Sequence, residues 1–582
     1  MMGNKISILK CFRWFLLLAF IFWSADSVLA KGIGKASKKN CPRPPTHVLG
    51  CNVADIQSVM PPGSNVIIET AVSLSTPEGS NYCRVDGWID TEGFTNPDLA
   101  TPEYPDGVYP DDGVKFMVAL PDNFKNRYFF VGLGGAAGYV PDPPDIRLDE
   151  GFAVAGTDDG HHGENTMESM LDWTFAVDRT QALDYAKRGV HVTAVATQHI
   201  TRAYYGLGTK KRDLYRYIEG CSGGGRMGNV AAIEYPEDFD GVVSSAPGIN
   251  AGNPFFFGMI AAYIRDVPDR WISYNQLLAF EQILVDEYDG ADGAIDGLIW
   301  DPSVIELDFE DWASIMVDAP WPLEPPHSHP HPLFTPPQID TLKLILKGVD
   351  LFGYSYLGYT LSNPSGWSPF FIGLQSPEYW TPGNPYNPAG LGMFDTYSRG
   401  LFGLDYDWTT FDFTSKTDVT NWFETFEAVF PGSGTADPTR LDSFRRAGGK
   451  IIFWHGVSDN GISAFNMIRY YQDLAQSQHG FGHTQSFARL FIAPGVFHCA
   501  GGPGPQDTPE QAIAAIVRWV EQGKPPKELI TNSAPTAPPR TFLLCPYPSK
   551  AVFRGGDVND ASNWKCRETR QHFSWGKPSN RR

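Results

Sequence analysis

A strand-like run, Leu214-Tyr-Arg-Tyr-Ile-Glu-Gly220, leads straight into Cys221-Ser222-Gly223-Gly224 and then into a helix-compatible stretch reaching Glu234. This feature constrains the chain most. A serine between small residues, at a strand-to-helix junction, lets the backbone take a strained turn that projects the hydroxyl and points the following N–H groups at the same space. The bare G-x-S-x-G pattern is common in glycine-rich turns, so the flanking strand and helix carry the weight.

The surroundings repeat that rhythm. Tyr128-Phe-Phe-Val-Gly-Leu and Phe152-Ala-Val-Ala-Gly read as buried strands, and Ala182 to Tyr205 reads as a long helix. Val48 to about Ala119 reads as strands and turns instead. After Pro247 the alternation stops for about 190 residues rich in Pro, Gly, Trp and Phe, then resumes at Lys450-Ile-Ile-Phe-Trp-His-Gly and Ala488-Arg-Leu-Phe-Ile-Ala. A helix is expected from Pro509 to Gln522, with Thr508 as N-cap and Gly523 as its stop. Short strands alternating with helices predict a parallel sheet covered on both faces. The expected architecture is an α/β-hydrolase fold made of residues 31–249 and 440–582, with a lid domain inserted at 250–439.

A serine hydroxyl at neutral pH needs a base to take its proton, and the base needs an orienting carboxylate. Asp459 follows the strand at 451–457 in Ser-Asp-Asn-Gly, and His498 follows the strand at 490–493. The order Ser222, Asp459, His498 is the one this fold uses. Alone, Asp459 reads as a turn aspartate and His498 as a loop histidine. His455 competes as a base, but its place inside a strand reads as structural. Cys221 precedes the serine and Cys499 follows the histidine. If Ser222 and His498 meet, these neighbours fall within disulfide range, and a bridge closing so long a loop stabilises by about 5 kcal/mol in the chain-entropy model.

The N-terminus places Lys5, Lys10 and Arg13 before the apolar run Trp14 to Trp23 and a Val28-Leu29-Ala30 ending, the pattern of a signal peptide over residues 1–30. Its removal takes three cations and one anion from a chain of formal charge −20. So acidic a protein is a poor nucleic-acid binder, and no later segment is long and apolar enough to span a membrane. Charged residues at 19% and aromatics at 13% argue for a packed globular protein. Of eight cysteines, Cys11 leaves with the signal peptide, so one of the remaining seven stays unpaired; export makes disulfides plausible for the others.

Gly220-Cys-Ser-Gly-Gly-Gly-Arg226, Tyr235-Pro-Glu-Asp-Phe-Asp-Gly241, Phe453-Trp-His-Gly-Val-Ser-Asp459 and His498-Cys499 together resemble the tannase and feruloyl esterase family, which is similar also to hydrolases of mono(2-hydroxyethyl) terephthalate. The resemblance covers nearly the whole mature chain. It implies a secreted serine carboxylic ester hydrolase acting on aromatic esters, with Ser222, Asp459 and His498 catalytic and Cys221–Cys499 bridged. It implies an oxyanion hole from the N–H of Gly223 with Gly134 or Gly135, although Leu133 and Ala136 interrupt the family's longer glycine run. It also implies pairs Cys51–Cys83 and Cys545–Cys566, leaving Cys41 free.

Asp289-Gly-Ala-Asp292-Gly-Ala294-Ile-Asp296-Gly-Leu298 offers hard oxygen donors without the EF-hand spacing, and reads equally as a solvated acidic turn. The resemblance implies a structural calcium (Ca2+) site there, bound by the side chains of Asp289, Asp292 and Asp296 and the carbonyls of Ala294 and Leu298. Tyr288 stands where relatives often carry cysteine. His327, His329 and His331 read as a Pro-rich loop rather than a metal tract. Phe256, Phe257, Trp367, Tyr379 and Trp380 read as substrate wall or lid core, and Arg399 as a carboxylate partner or a solvated cation. An acyltransferase, a non-catalytic ligand-binding protein on the same scaffold, and a histidine-dependent metalloenzyme are the rival readings. The sequence leaves the acyl group and the oligomeric state open.

Overall fold

The computed structural model describes residues 47–91, 113–249, 251–317, 331–381, 384–432 and 437–568. The expected signal peptide, Cys41, His327 and His329 lie outside them, as does the side chain of Asp292. The framework is one nine-stranded sheet: β1 (Val66–Ser75), β2 (Asn81–Asp90), β3 (Gly113–Pro121), β4 (Arg127–Gly132), β5 (Phe152–Thr157), β6 (Tyr215–Cys221), β7 (Gly241–Ser245), β8 (Lys450–Gly456) and β9 (Ala488–Ala493). Their spatial order is β1-β2-β3-β5-β4-β6-β7-β8-β9. β1, β2, β3 and β5 pair antiparallel; from β5 through β4 to β9 every pairing is parallel.

The parallel part reads as continuous apolar runs because both its faces are covered. Alternate residues divide between two cores. Tyr128, Phe130, Ile218, Val242, Ile451 and Phe453 pack with Val190, Ala194 and Ile200 of helix α1 (Gly189–Tyr204). Phe129, Tyr217, Val243, Ile452 and Trp454 pack on the other face with Ile513, Ile516 and Trp519 of a C-terminal helix. Each such side chain taken out of water contributes about 1.5–3 kcal/mol.

Three expectations shift in detail. The C-terminal helix begins at Thr508 rather than after it, with Asp507 at the cap, while Gly523 ends it in the left-handed conformation at φ 65°. Asp507 makes no cap hydrogen bond, because its carboxylate accepts the N–H and amide of Asn532 and the amide of Gln511. The helix expected over 182–205 is three pieces: Arg179–Leu183, a π-turn at Asp184–Arg188, and α1. The N-terminal strand region also holds a short helix at Val53–Ser58, capped by the Asn52 side chain on Asp55 N.

Between β7 and β8 the chain forms helices at Gly252–Asp266, Tyr274–Tyr288, Pro336–Lys347, Ala389–Phe402 and Lys416–Val429. The first three enclose a core of their own that includes Phe256, Phe257, Phe280, Leu342, Trp367 and Phe371, whereas Phe394, Tyr397, Trp422 and Phe426 of the last two pack with Trp173, Ala182 and Tyr185. Phe256, Phe257 and Trp367 are at most 1% exposed, which makes them core rather than pocket wall. Disulfides join Cys51–Cys83, Cys221–Cys499 and Cys545–Cys566 as expected. No helix among the described residues is long and apolar enough to cross a membrane.

Candidate active site

The parallel strands end together, and the three expected residues are carried on the loops that follow β6, β8 and β9. Ser222 is the turn between β6 and helix α2 (Gly223–Glu234), with φ 62° and ψ −117°. A positive φ strains a residue with a side chain, and it persists here because the surroundings over-determine it. Ser222 N–H donates to Ser245 O at 2.9 Å, tying the elbow to β7. Small residues let the helix come that close. A Cβ on Gly224 would sit 2.3 Å from Gly132 O, and one on Gly225 would sit 2.3 Å from Ser245 O.

Ser222 Oγ lies 2.8 Å from His498 Nε2, and His498 Nδ1 lies 3.0 Å from both carboxylate oxygens of Asp459. With Nδ1 against a carboxylate, the proton belongs on Nδ1, which leaves Nε2 as the acceptor for the serine hydroxyl. The histidine is also held by its own loop and its neighbour. Its backbone N–H donates to Asn460 Oδ1 at 3.1 Å, and a Cβ on Gly461 would lie 2.6 Å from its Cγ. Cys499, at φ 67°, brings its sulfur to Cys221 with Cα atoms 5.8 Å apart. The elbow and the histidine loop are thereby covalently joined next to Ser222 and His498.

Asp459 is 2% exposed. Its Oδ1 accepts the N–H groups of Gly461 at 2.8 Å and Ile462 at 2.7 Å, and Oδ2 lies 3.1 Å from His455 Nε2. Burial by itself would raise the carboxyl, but the charge of His498 and the hydrogen bonds from His455 and His498 outweigh it and hold Asp459 well below the usual carboxylate range.

The loop after β4 lies against the elbow: a Cβ on Gly223 would meet Gly135 O at 2.4 Å, and one on Gly134 would lie 3.9 Å from Ser222 Cβ. Ala136 N–H donates to Met170 O and Ala137 N–H to Gly134 O. Among the described residues, the N–H groups of Gly134, Gly135 and Gly223 have no such internal acceptor.

Sequence reasoning missed a strap, residues 356–366 of the segment between β7 and β8, that holds the acid loop. Thr360 Oγ1 donates to Val457 O at 2.5 Å, Tyr359 OH to Gly461 O at 3.1 Å, and Ser458 Oγ to Asn363 Oδ1 at 2.6 Å. Asn460 Nδ2 donates to Gly366 O at 2.5 Å. Nothing periodic marks these residues; only the polar Thr360-Leu-Ser-Asn363 run inside an apolar stretch hints at them. Phe370 was missed too. Its ring stands edge-on to His498, centroids 5.8 Å apart at 80°. Tyr379 is 59% exposed, Trp380 donates its indole N–H to Gln375 O, and Arg399 donates to Leu404 O beside Asp395.

The acidic loop is ordered by its own backbone. Asp289 accepts the N–H groups of Asp296 and Gly297 at 2.9–3.1 Å. Asp296 accepts Leu298 N–H at 3.0 Å and the Trp300 indole at 2.9 Å, and pairs with Arg540. Burial raises the Asp296 carboxyl, with Arg540 opposing. Among the described residues no group of three or more His, Cys, Asp or Glu side chains is arranged to hold a metal ion. His331, the described member of the histidine tract, contacts Pro332 O through Nδ1.

The family model for "Tannase and feruloyl esterase" matches residues 107–567. A probable feruloyl esterase B-2 of Aspergillus oryzae is 26% identical over 573 residues, 93% of this chain and 96% of the relative. The mono(2-hydroxyethyl) terephthalate hydrolase of Piscinibacter sakaiensis is 25% identical, over 84% of this chain and 89% of that protein. Among solved structures, feruloyl esterase B from Aspergillus oryzae superposes with a TM-score of 0.70 at 21% identity, covering 88% of this chain and 99% of that one. Tannin acyl hydrolase from Aspergillus niger gives 0.68 at 19% identity, covering 90% and 97%. The fold is that of an α/β hydrolase, and the chain belongs to the tannase and feruloyl esterase family of carboxylic ester hydrolases.

Proposed function

We propose that the protein is a secreted serine esterase that cleaves esters of aromatic acids through an acyl-enzyme on Ser222. The observation that carries this reading is the unbroken relay from Ser222 Oγ through His498 to Asp459. His498 Nε2 takes the hydroxyl proton as Oγ attacks the ester carbonyl, and Asp459 stabilises the imidazolium. The N–H of Gly223, with that of Gly134 or Gly135, receives the oxyanion. On collapse the proton passes from His498 to the leaving alkoxide, releasing the alcohol. Water, deprotonated by the same nitrogen, then frees the acid and restores the hydroxyl.

Phe370 beside His498 gives an aromatic acyl group a ring to pack against, and the relatives named feruloyl esterases and terephthalate-ester hydrolase favour that substrate class. The segment 250–439 serves on this reading as the lid that shapes the acyl site. Three disulfides and the apolar, basic N-terminus support export. Calcium would be held in the loop 289–298, where Asp292, whose side chain lies outside the described ones, would add to Asp289 and Asp296. The donors there are hard oxygens, and Arg540 and Trp300 occupy the Asp296 oxygen opposite the one that Leu298 N–H meets, which leaves lone pairs for a cation. Asp289, Asp292 and Asp296, with the carbonyls of Ala294 and Leu298, would hold it. Its part would be structural: to tie the loop closed.

The test is hydrolysis of a generic aryl ester, methyl ferulate and methyl gallate by wild type and Ser222→Ala. A folded variant slower by at least about a thousandfold supports the nucleophile. A variant that still turns over overturns it, and a ferulate rate no better than that of an aliphatic ester overturns the aromatic preference.

A further inference from the structure

A second histidine sits on the catalytic carboxylate. His455 is the sixth residue of β8 and is fully buried. Asp459 folds back over the strand end because Oδ1 caps its own turn through Gly461 N–H and Ile462 N–H. That brings Oδ2 to 3.1 Å from His455 Nε2, which also lies 2.9 Å from Ile462 O. A carboxylate and a carbonyl only accept, so the nitrogen between them carries a proton and donates to both. Nδ1 of the same ring meets no partner among the described residues. The proton on Nε2 therefore points at Asp459 and at Ile462 O.

The strand beside His455 is apolar: the register partner on β9 is Ile492, flanked by Phe491 and Ala493. From the strap, Tyr359 OH donates to Gly461 O and Tyr356 OH accepts Ser463 N–H, in the turn that follows Asp459; burial pushes both phenols far up, so they stay neutral. Among the described residues, the ion pairs recorded here join Asp459 to His455 and, across it, to His498.

We infer that His455 is a positioning residue for ester hydrolysis: its N–H draws on the charge of Asp459 and turns the carboxylate toward His498, and so sets how strongly His498 holds a proton. The inference rests on the triad reading above. Oδ2 is shared between the two imidazoles, 3.1 Å from one and 3.0 Å from the other. Charge stabilised by His455 is unavailable to the imidazolium at His498, so the base is kept free at lower pH than an otherwise unpartnered Asp–His pair allows.

The experiment is the pH profile of kcat/KM for an aryl ester, whose acidic limb reports the free enzyme's base. It compares wild type with His455→Leu, His455→Gln and Ser222→Ala. His455→Leu removes the donor, and the limb is expected to move to higher pH by about half a unit to one unit. Glutamine sets its amide nitrogen near the imidazole Nε2, so His455→Gln restores the wild-type limb. An unmoved or lowered limb in folded His455→Leu overturns the inference, as do identical limbs for the leucine and glutamine variants. If His455→Leu fails to fold, His455→Asn replaces it, since that amide reaches only the Nδ1 position; equal limbs for Asn and Gln then overturn the inference. Turnover in Ser222→Ala removes the triad reading itself, whereas an inactive Ser222→Ala with an unmoved limb rejects only the role of His455.

Discussion

Two buried aspartates flank the Ser222 elbow and meet opposite fates. Asp459, on the acid side, is met by two backbone N–H groups and two imidazoles, and is held well below the ordinary carboxylate range. Asp159, on the nucleophile side, is 1% exposed and faces Arg226 of α2 at 3.5 Å, while Oδ1 meets no partner among the described residues. Burial pushes its carboxyl up to about 7, against the opposing charge of Arg226 and with repulsion from Asp158 and Asp184. Depth is the same in both places. The number and closeness of donors decides whether a buried carboxyl is an anion.

The two sides also hold their shape by different means. The elbow is backbone packed on backbone, where glycines admit contacts that no side chain allows. The acid loop is held by polar side chains of the strap. Each prediction bears on one side of this contrast.

The largest effect is expected from Asp459→Asn, which keeps the shape but loses the charge and favours the wrong tautomer of His498. By analogy with triads of this type kcat falls by about ten-thousandfold. Steady-state kinetics check it, and a loss under about tenfold breaks the claim that the anion matters.

On the nucleophile side, Gly224→Ala drives a methyl into Gly132 O and is expected to cost about 3 kcal/mol or more of stability, read from urea unfolding. A stability within about 1 kcal/mol of wild type shows that the elbow relaxes and is not close-packed as described.

Asp159→Asn tests the opposed charge states through pH. The folded-state value of Asp159 lies above the unfolded value near 4, so its contribution is full below about pH 4 and is lost as pH rises through about 7. Asparagine mimics the protonated form at every pH. The variant should therefore gain on wild type by about 1–3 kcal/mol between pH 5 and pH 8, measured by urea midpoints. For Asp459 the sign is reversed: its contribution is present above about pH 4 and is lost as pH falls. Parallel curves for Asp159→Asn and wild type dissolve the contrast.

The smallest effect is expected from Tyr359→Phe, which leaves Gly461 O without the strap's hydroxyl. About 1 kcal/mol of stability should go, with a modest fall in kcat. No change in either quantity removes the strap's hydroxyl from the account of how the acid loop is held.

Much of the site was legible before folding because its signals are local. Gly220 to Gly224 reads as an elbow from a strand, small residues and a helix, all within about twenty residues. Asp459 and His498 read from their places just past strand ends, and Cys221 and Cys499 from their adjacency to the reacting pair. Other readings stayed open where residue type alone could not decide. Phe256, Phe257 and Trp367 satisfy either a wall or a core, and only packing placed them in the core.

By itself, then, the sequence determined the strand-and-turn framework and the placing of Ser222, Asp459 and His498 just past strand ends, since backbone turns and strand ends depend on neighbours along the chain. Only the tertiary structure decided which donors meet Asp459. His455 comes from the end of β8, folded under by the Asp459 turn, and the strap from about a hundred residues upstream. Hydrogen bonds between segments so far apart leave no periodic trace in the chain, because a single polar side chain can satisfy a distant carbonyl from almost any local pattern.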